Sequence, residues 1–232
     1  MDNFSLAGCV DALLPQIQCG RCGFSACGPY AAAIARGEAD INRCSPGGES
    51  TIETLARLLG EDPEPLDPEC VEEVLRTVAV IDEGWCVGCA RCLAVCPVDA
   101  IVGAPGQMHT VIGRECTGCG RCVDSCPMDC ISMAPVIPLG AALEANPDAC
   151  AAAAGGQVAD WPSGWGRLQA DTARRRYQAR QTRLAHRQRE RSERLEQKRL
   201  LISERASGNT IRRAAIEAVL ARVHARREGH TR

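Results

Sequence analysis

Two stretches of the chain repeat the order C-x2-C-x2-C-x3-C-P, at Cys86, Cys89, Cys92, Cys96 and Pro97, and again at Cys116, Cys119, Cys122, Cys126 and Pro127. Three thiolates on one tight loop reach three corners of an iron–sulfur cubane, and the fourth, just before the proline, starts a segment aimed at the other cluster; this is the spacing of a [4Fe–4S] pair. The motif therefore assigns Cys86, Cys89, Cys92 and Cys126 to one cluster (site 2) and Cys116, Cys119, Cys122 and Cys96 to another (site 3). Pro97 and Pro127 turn the chain away without an N–H that would need a partner. Zinc motifs instead pair two C-x-x-C units over a dozen or more residues, which tandem triple-cysteine runs do not resemble.

A third group comes earlier and is less regular: Cys19, Cys22 and Cys27 in "QCGRCGFSACGPY", then Cys44 in "INRCSPGGE". Four thiolates suit zinc as well as iron–sulfur, and the C-x2-C-x4-C order reverses that of plant-type [2Fe–2S] centres. Spacing alone leaves zinc, [2Fe–2S] and a further [4Fe–4S] cluster open for this site 1. The other cysteines, Cys9, Cys70, Cys130 and Cys150, read as ordinary small apolar side chains; Cys130 stands out by following Cys126 closely.

The elements that must hold these residues follow from pattern and punctuation. Residues 1–60 form a small helical unit around site 1, with an Ala-rich helical stretch at Tyr30–Ala35 and a helix in "ESTIETLARLLG", where Ile52, Leu55, Leu58 and Leu59 recur at helical spacing before Gly60. An acidic, proline-containing linker covers 61–76. Residues 77–136 form a tandem unit: "CVGCARCLAVCPVDAI" recurs 30 residues on as "CTGCGRCVDSCPMDCI". The β-prone runs "VAVID", "AIVGA", "HTVI" and "CISM" flank the copies. Two copies of strand, cluster loop, short helix and strand imply pseudo-two-fold symmetry, and Gly88, Gly118 and Gly120 let loop amides approach the sulfurs. An Ala/Gly/Pro linker at 137–166 is expected to dock through Trp161 and Trp165. Residues 167–232 read as a basic helical hairpin, broken at "SGNT", with Leu195, Leu200, Leu201 and Ile202 facing Ile216, Val219, Leu220 and Val223. The fold class is α+β, a helical cluster domain and a two-[4Fe–4S] ferredoxin-like domain with an all-α extension.

Charge is polarised along the chain. Residues 1–166 carry 8 Lys and Arg against 22 Asp and Glu, a net −14, whereas residues 167–232 carry 19 against 7, a net +12. Sixteen cysteines in 232 residues require either a disulfide framework or metal ligation. "MDNFSLAGCVDALLPQIQC" has an acidic residue at position 2 and no unbroken apolar core, so it does not read as a secretory signal. No stretch reaches the roughly 18 to 20 apolar residues of a membrane span. Reduced thiols in a soluble cytoplasmic chain, free to bind iron, are the expectation.

The module order and the segments "LPQIQCGRCGFSACGPYA", "INRCSPGGE", "PLDPE", "VAVIDEGWCVGCARC", "CPVDAIVGA", "MHTVI" and "CTGCGRCVDSCPMDCIS" resemble the B subunit of the Rnf (Rsx) ion-translocating electron transport complex, over about residues 10–134. The resemblance implies that site 1 is also a [4Fe–4S] cluster, with Cys19, Cys22, Cys27 and Cys44 as ligands, giving three [4Fe–4S] clusters in all. Family members begin with a hydrophobic membrane helix; here 18 residues, including Asp2 and Asp11, precede Cys19. The expectation is a form without that helix and with a basic helical C-terminal extension.

The sequence holds no catalytic constellation. Its histidines, His109, His186, His224 and His230, pair with no nucleophile or carboxylate motif, and neither a dinucleotide fingerprint nor a Walker loop is present. The cofactors then carry the chemistry and the protein spaces them. The expected function is one-electron relay between a reduced donor and an acceptor enzyme, in the cytoplasm or peripherally on the cytoplasmic face of the inner membrane, with Rnf/Rsx-type subunits as candidate partners. Alternatives are a wire subunit of a larger oxidoreductase and a redox-sensing nucleic-acid binder; for the latter, the tail lacks stacking aromatics beyond Tyr177. Arg21, Arg91 and Arg121, each directly before a cluster cysteine, are either solvated surface positions or offsets to cluster charge.

Overall fold

The structure is a computed structural model, and it describes residues 5–70, 76–136, 161 and 165–228. It is a mixed protein of helices and two small sheets, divided into two compact units, residues 1–180 and 181–232.

The chain enters through α1 (Leu6–Leu13), whose Ser5 side chain accepts from the Gly8 amide at its start. Pro15 follows and keeps the helix from continuing. Next come α2 (Cys27–Ala35) and α3 (Gly48–Leu59). Helix α3 buries Thr51, Ile52 and Leu55 and ends where Gly60 takes the left-handed conformation (φ 73°) and donates to Ala56. These three helices close on Val10, Leu13, Leu14, Tyr30 and Ile34 as one apolar core. The acidic linker lies against this module: the Asp67 amide donates to Asn42 O (2.9 Å), Asn42 Nδ2 donates to Pro65 O (2.9 Å), and Arg43 pairs with Asp67 at 3.3 Å.

The tandem unit has strands β1 (Thr77–Ile81), β2 (Ile101–Val102), β3 (Thr110–Val111) and β4 (Ile131–Pro135). β1 pairs antiparallel with β4, from Thr77 opposite Pro135 to Ile81 opposite Ile131, and β2 pairs antiparallel with β3. The repeat is thus realised by exchange: each copy's leading strand pairs with the other copy's trailing strand. The loops match in backbone detail. Gly88 and Gly118, 30 residues apart, both have positive φ (69° and 74°), as do Ala90 and Gly120, and Asp99 and Asp129. The copies differ in one element. The first continues into helix α4 (Arg91–Val95), while residues 121–125 form only turns. There the Ser125 hydroxyl donates to Cys122 O at 2.8 Å, a local bond that competes with a helix.

Trp161 and Trp165 dock as the sequence leads one to expect, at 5% and 6% exposure. Trp161 Nε1 donates to Thr51 Oγ1 (3.0 Å) and Trp165 Nε1 to Pro15 O (2.7 Å). The remainder of the linker assigned to 137–166, with Cys150, lies outside the described residues apart from Gly166.

Helix α5 runs from Arg167 to Glu228. Its residues through Arg180 belong to the first unit. Ala170 and Ala173 are buried there, and three arginines bind the body: Arg174 to Asp11 (2.7 Å), Arg176 to Val98 O (2.8 Å) and Glu115 (3.3 Å), and Arg180 to Asp99 (2.5 Å) and to Ala94 O.

From Gln181 onward the same helix forms the second unit, and it corrects the expected hairpin. It is continuous through Ser207–Thr210, and Leu195, Leu200, Leu201, Ile202, Ile216, Val219 and Leu220 are all exposed. Helical Gly costs about 1 kcal/mol and Ser, Asn and Thr about half that each. Breaking the helix would demand a second nucleation at roughly 4 kcal/mol, from a nucleation constant near 10⁻³. With no proline in the segment, continuity wins.

Candidate functional site

The cysteines singled out by spacing surround three separate cavities. One is lined by Cys19, Cys22, Cys27 and Cys44 with Leu14, Ile17, Ala26 and Tyr30. A second is lined by Cys96, Cys116, Cys119 and Cys122 with Val98, Ala100 and Ile101. The third is lined by Cys86, Cys89, Cys92 and Cys126 with Ile81, Val87 and Ile131. Each cavity thus has four cysteines in its lining, with Cys96 beside the second copy's three and Cys126 beside the first copy's. Among the described residues no three Cys, His, Asp or Glu side chains close around the single point one metal ion would occupy. The thiols instead line volumes.

Local conformation explains each site. At site 1, Gly20 and Gly23 take positive φ (84° and 83°), wrapping the loop so that Cys19 and Cys22 share a face with Cys27 at the start of α2. Gln18 Oε1 accepts from the Cys27 amide (2.9 Å), and the buried Tyr30 hydroxyl donates to Asp40 O (2.7 Å) and accepts from the Arg43 amide (3.1 Å), which fixes the approach to Cys44. At sites 2 and 3 the left-handed glycines are required by contact. A side chain at Gly88 would strike the Gln107 backbone, and one at Gly118 the Thr77 carbonyl, positions again 30 residues apart.

Backbone amides point at sulfur in both copies. The Ala79 amide donates to Cys116 Sγ (3.5 Å), the Ala100 amide to Cys96 Sγ (3.2 Å) and the His109 amide to Cys86 Sγ (3.4 Å). Burial pushes the thiols up: Cys27 and Cys122 to about 12, with Cys22, Cys44, Cys92 and Cys119 also raised. Neighbouring thiols add to the rise at most of these positions. Ligation to iron would remove those protons outright. Four thiols, apolar walls and inward amides fit an iron–sulfur cubane at each site.

Sites 1 and 3 lie against one another. The Thr117 hydroxyl donates to Ile17 O (2.9 Å), Arg121 Nε to Cys19 O (3.2 Å) and Arg121 Nη2 to Ser25 O (2.6 Å). Arg121 thus ties the site 3 loop to the site 1 loop, while Arg21 and Arg91 are exposed. Site 2 lies toward solvent: Cys89 is exposed, as are Trp85 and Val87 beside it.

Two residues that the motifs passed over also line site 2. His109 is buried, with Nδ1 3.6 Å from Cys86 Sγ and 3.8 Å from Cys92 Sγ. Cys130 Sγ lies 3.4 Å from Cys126 Sγ. The signal was available in the repeat itself, by extending the alignment of the copies past the cysteines to their flanks. Of the other thiols, Cys70 is buried against Arg21 O at 3.7 Å, and Cys9 is half-buried.

Fold and sites together define an iron–sulfur protein with a paired-cluster domain. The family model described as a 4Fe-4S dicluster domain matches residues 79–133, and one described as a putative Fe-S cluster matches residues 14–46. Among curated relatives, the B subunit of the ion-translocating oxidoreductase complex of Thiobacillus denitrificans is 63% identical over 131 residues, 56% of this chain and 70% of that protein. The protein of the same name from Alkalilimnicola ehrlichii is 60% identical over 111 residues (47% of this chain, 60% of that protein), and that from Azoarcus sp. 60% over 103 residues (44% and 56%). The chain belongs to this family of B subunits, although it spans only slightly more than half of the length of some of these relatives. No solved structure matches it. Among the described residues no helix is long and apolar enough to cross a membrane.

Proposed function

We propose that this chain relays single electrons through three [4Fe–4S] clusters, at sites 1, 2 and 3, as the B-type subunit of an ion-translocating oxidoreductase complex. The observation that carries the reading is the grouping of the twelve motif cysteines around three apolar cavities, four to each. When bound, a [4Fe–4S] cluster supplies a one-electron carrier of low potential.

The chain's own contribution is spacing and insulation. Thr117 and Arg121 hold sites 1 and 3 together, the exchanged strands hold sites 2 and 3 in one ferredoxin-like body, and Trp161, Trp165 and the first turns of α5 bind that body to the helical module. This supports the order site 1, site 3, site 2. Donor and acceptor are redox proteins, and the exposed Cys89 supports site 2 as one terminus. Part of the basic extension is spent within the chain, on Asp11, Asp99 and Glu115, which supports a structural role for residues 167–180 rather than nucleic-acid binding. The expected location is the cytoplasm or the cytoplasmic face of the inner membrane.

Anaerobic reduction followed by EPR tests the reading. Three sets of [4Fe–4S] signals, one of which disappears in each of Cys44→Ser, Cys89→Ser and Cys119→Ser, are expected. Signals from two sites only, unaffected by Cys44→Ser, would refute the three-cluster relay.

A further inference from the structure

The tandem unit presents two sites whose cluster loops match in backbone conformation, and two of the side chains around them differ. With the 30-residue offset, Ala79 corresponds to His109 and Ala100 to Cys130. The backbone bonds obey the same relation. The amide of residue 79 donates to Cys116 Sγ as that of 109 donates to Cys86 Sγ, and the amide of residue 100 donates to Cys96 as that of 130 does to Cys126. At site 3 the two side chains are methyl groups. At site 2 they are an imidazole and a thiol.

Both groups are aimed at ligand sulfurs. His109 is 1% exposed, its Nδ1 faces Cys86 and Cys92, and its Nε2 has no partner. Its ring packs against Gly103, where an added Cβ would lie 2.9 Å from His109 Cγ, so the fold leaves room for this side chain. Cys130 Sγ contacts Cys126 Sγ at 3.4 Å. An iron-bound thiolate can only accept, so Nδ1 and the Cys130 thiol must be the donors. Hydrogen bonds to the sulfurs stabilise the reduced, more negative cluster and raise its potential.

We propose that His109 and Cys130 are positioning residues that hold the cluster at site 2 at a higher reduction potential than its twin at site 3, by side-chain hydrogen bonds that Ala79 and Ala100 cannot make. This rests on the cluster reading above. The first electron to enter the tandem unit then settles at site 2, the solvent-facing end, rather than at site 3 beside site 1. Losing one donor should shift the partition of an electron between the two sites about tenfold toward site 3, which is about 59 mV for a one-electron couple.

The test is an anaerobic potentiometric titration of the full chain followed by EPR, with the site 2 signal assigned through its alteration in Cys89→Ser. His109→Ala and Cys130→Ala should each lower the site 2 midpoint and leave that of site 3 in place. His109→Asn, whose amide can reach the position of Nδ1, and Cys130→Ser should restore it. Unchanged midpoints with full iron content, or equal shifts at both sites, would overturn the proposal. Should the alanine variants lose iron, wild-type protein labelled with ¹⁵N-histidine decides the point for His109. It is the only histidine in residues 1–180, and pulsed EPR should show its nitrogen coupled to the reduced site 2 cluster. Absence of that coupling overturns its role, whereas absence of any [4Fe–4S] signal would instead sink the cluster reading.

Discussion

The three tryptophans offer a controlled test of how the chain is held together, because the same indole sits in three environments. Trp165 is 6% exposed, donates to Pro15 O at 2.7 Å, and has the Arg76 guanidinium 5.3 Å from its ring centroid. Trp85 is 67% exposed. Replacing a buried Trp by Ala costs about 3–5 kcal/mol in lost transfer energy and cavity. The orphaned Pro15 carbonyl and the lost cation–π contact bring the total for Trp165→Ala to about 4–6 kcal/mol. Against a typical stability of about 5–15 kcal/mol, that is a large fraction. With a urea dependence of about 2–3 kcal/mol per molar, the midpoint should fall by about 2 M. Trp85→Ala should change stability by less than about 0.5 kcal/mol. The assay is anaerobic urea denaturation of the cluster-loaded chain by far-UV circular dichroism, with all variants run under one protocol. If Trp85→Ala and Trp165→Ala shift the midpoint equally, the docking of this segment is wrong.

Ending the chain at Gly166 should lower the urea midpoint below that of a chain ending at Arg180, since Arg174, Arg176 and Arg180 bind the body. Gly118→Ala should abolish iron at site 3 in metal analysis, because the new methyl meets the Thr77 carbonyl and the residue sits at φ 74°; Gly113→Ala, with open space around it, should not. Arg121→Met should leave iron content full but slow electron equilibration between sites 1 and 3 after a reducing flash, since it removes both bonds to the site 1 loop.

The grouping of the cysteines was legible because the chemistry of a four-thiolate site writes itself into local spacing. Even the exchange of Cys96 and Cys126 follows from the C-P turn, and the four strands stand where β-prone runs flank the motifs. What spacing does not encode is contact between distant segments. Nothing around Arg174 or Arg180 marks Asp11 or Asp99 as partners, more than 80 residues away in each case, because such pairing depends on how two modules dock. The continuity of α5 through Ser207–Thr210 is easily missed in the sequence because weak helix formers look like breakers, when nucleation cost favours one long helix over two. His109 escaped notice for a different reason. A histidine with no motif around it looks ordinary until the fold sets it beside Cys86 and Cys92.

The central claim is three cubanes on one chain, and the most direct measurement is iron and acid-labile sulfide per chain in anaerobically prepared protein. The account predicts about twelve of each, four per [4Fe–4S] cluster. About eight irons with one zinc would contradict it, leaving site 1 a structural four-thiolate zinc centre.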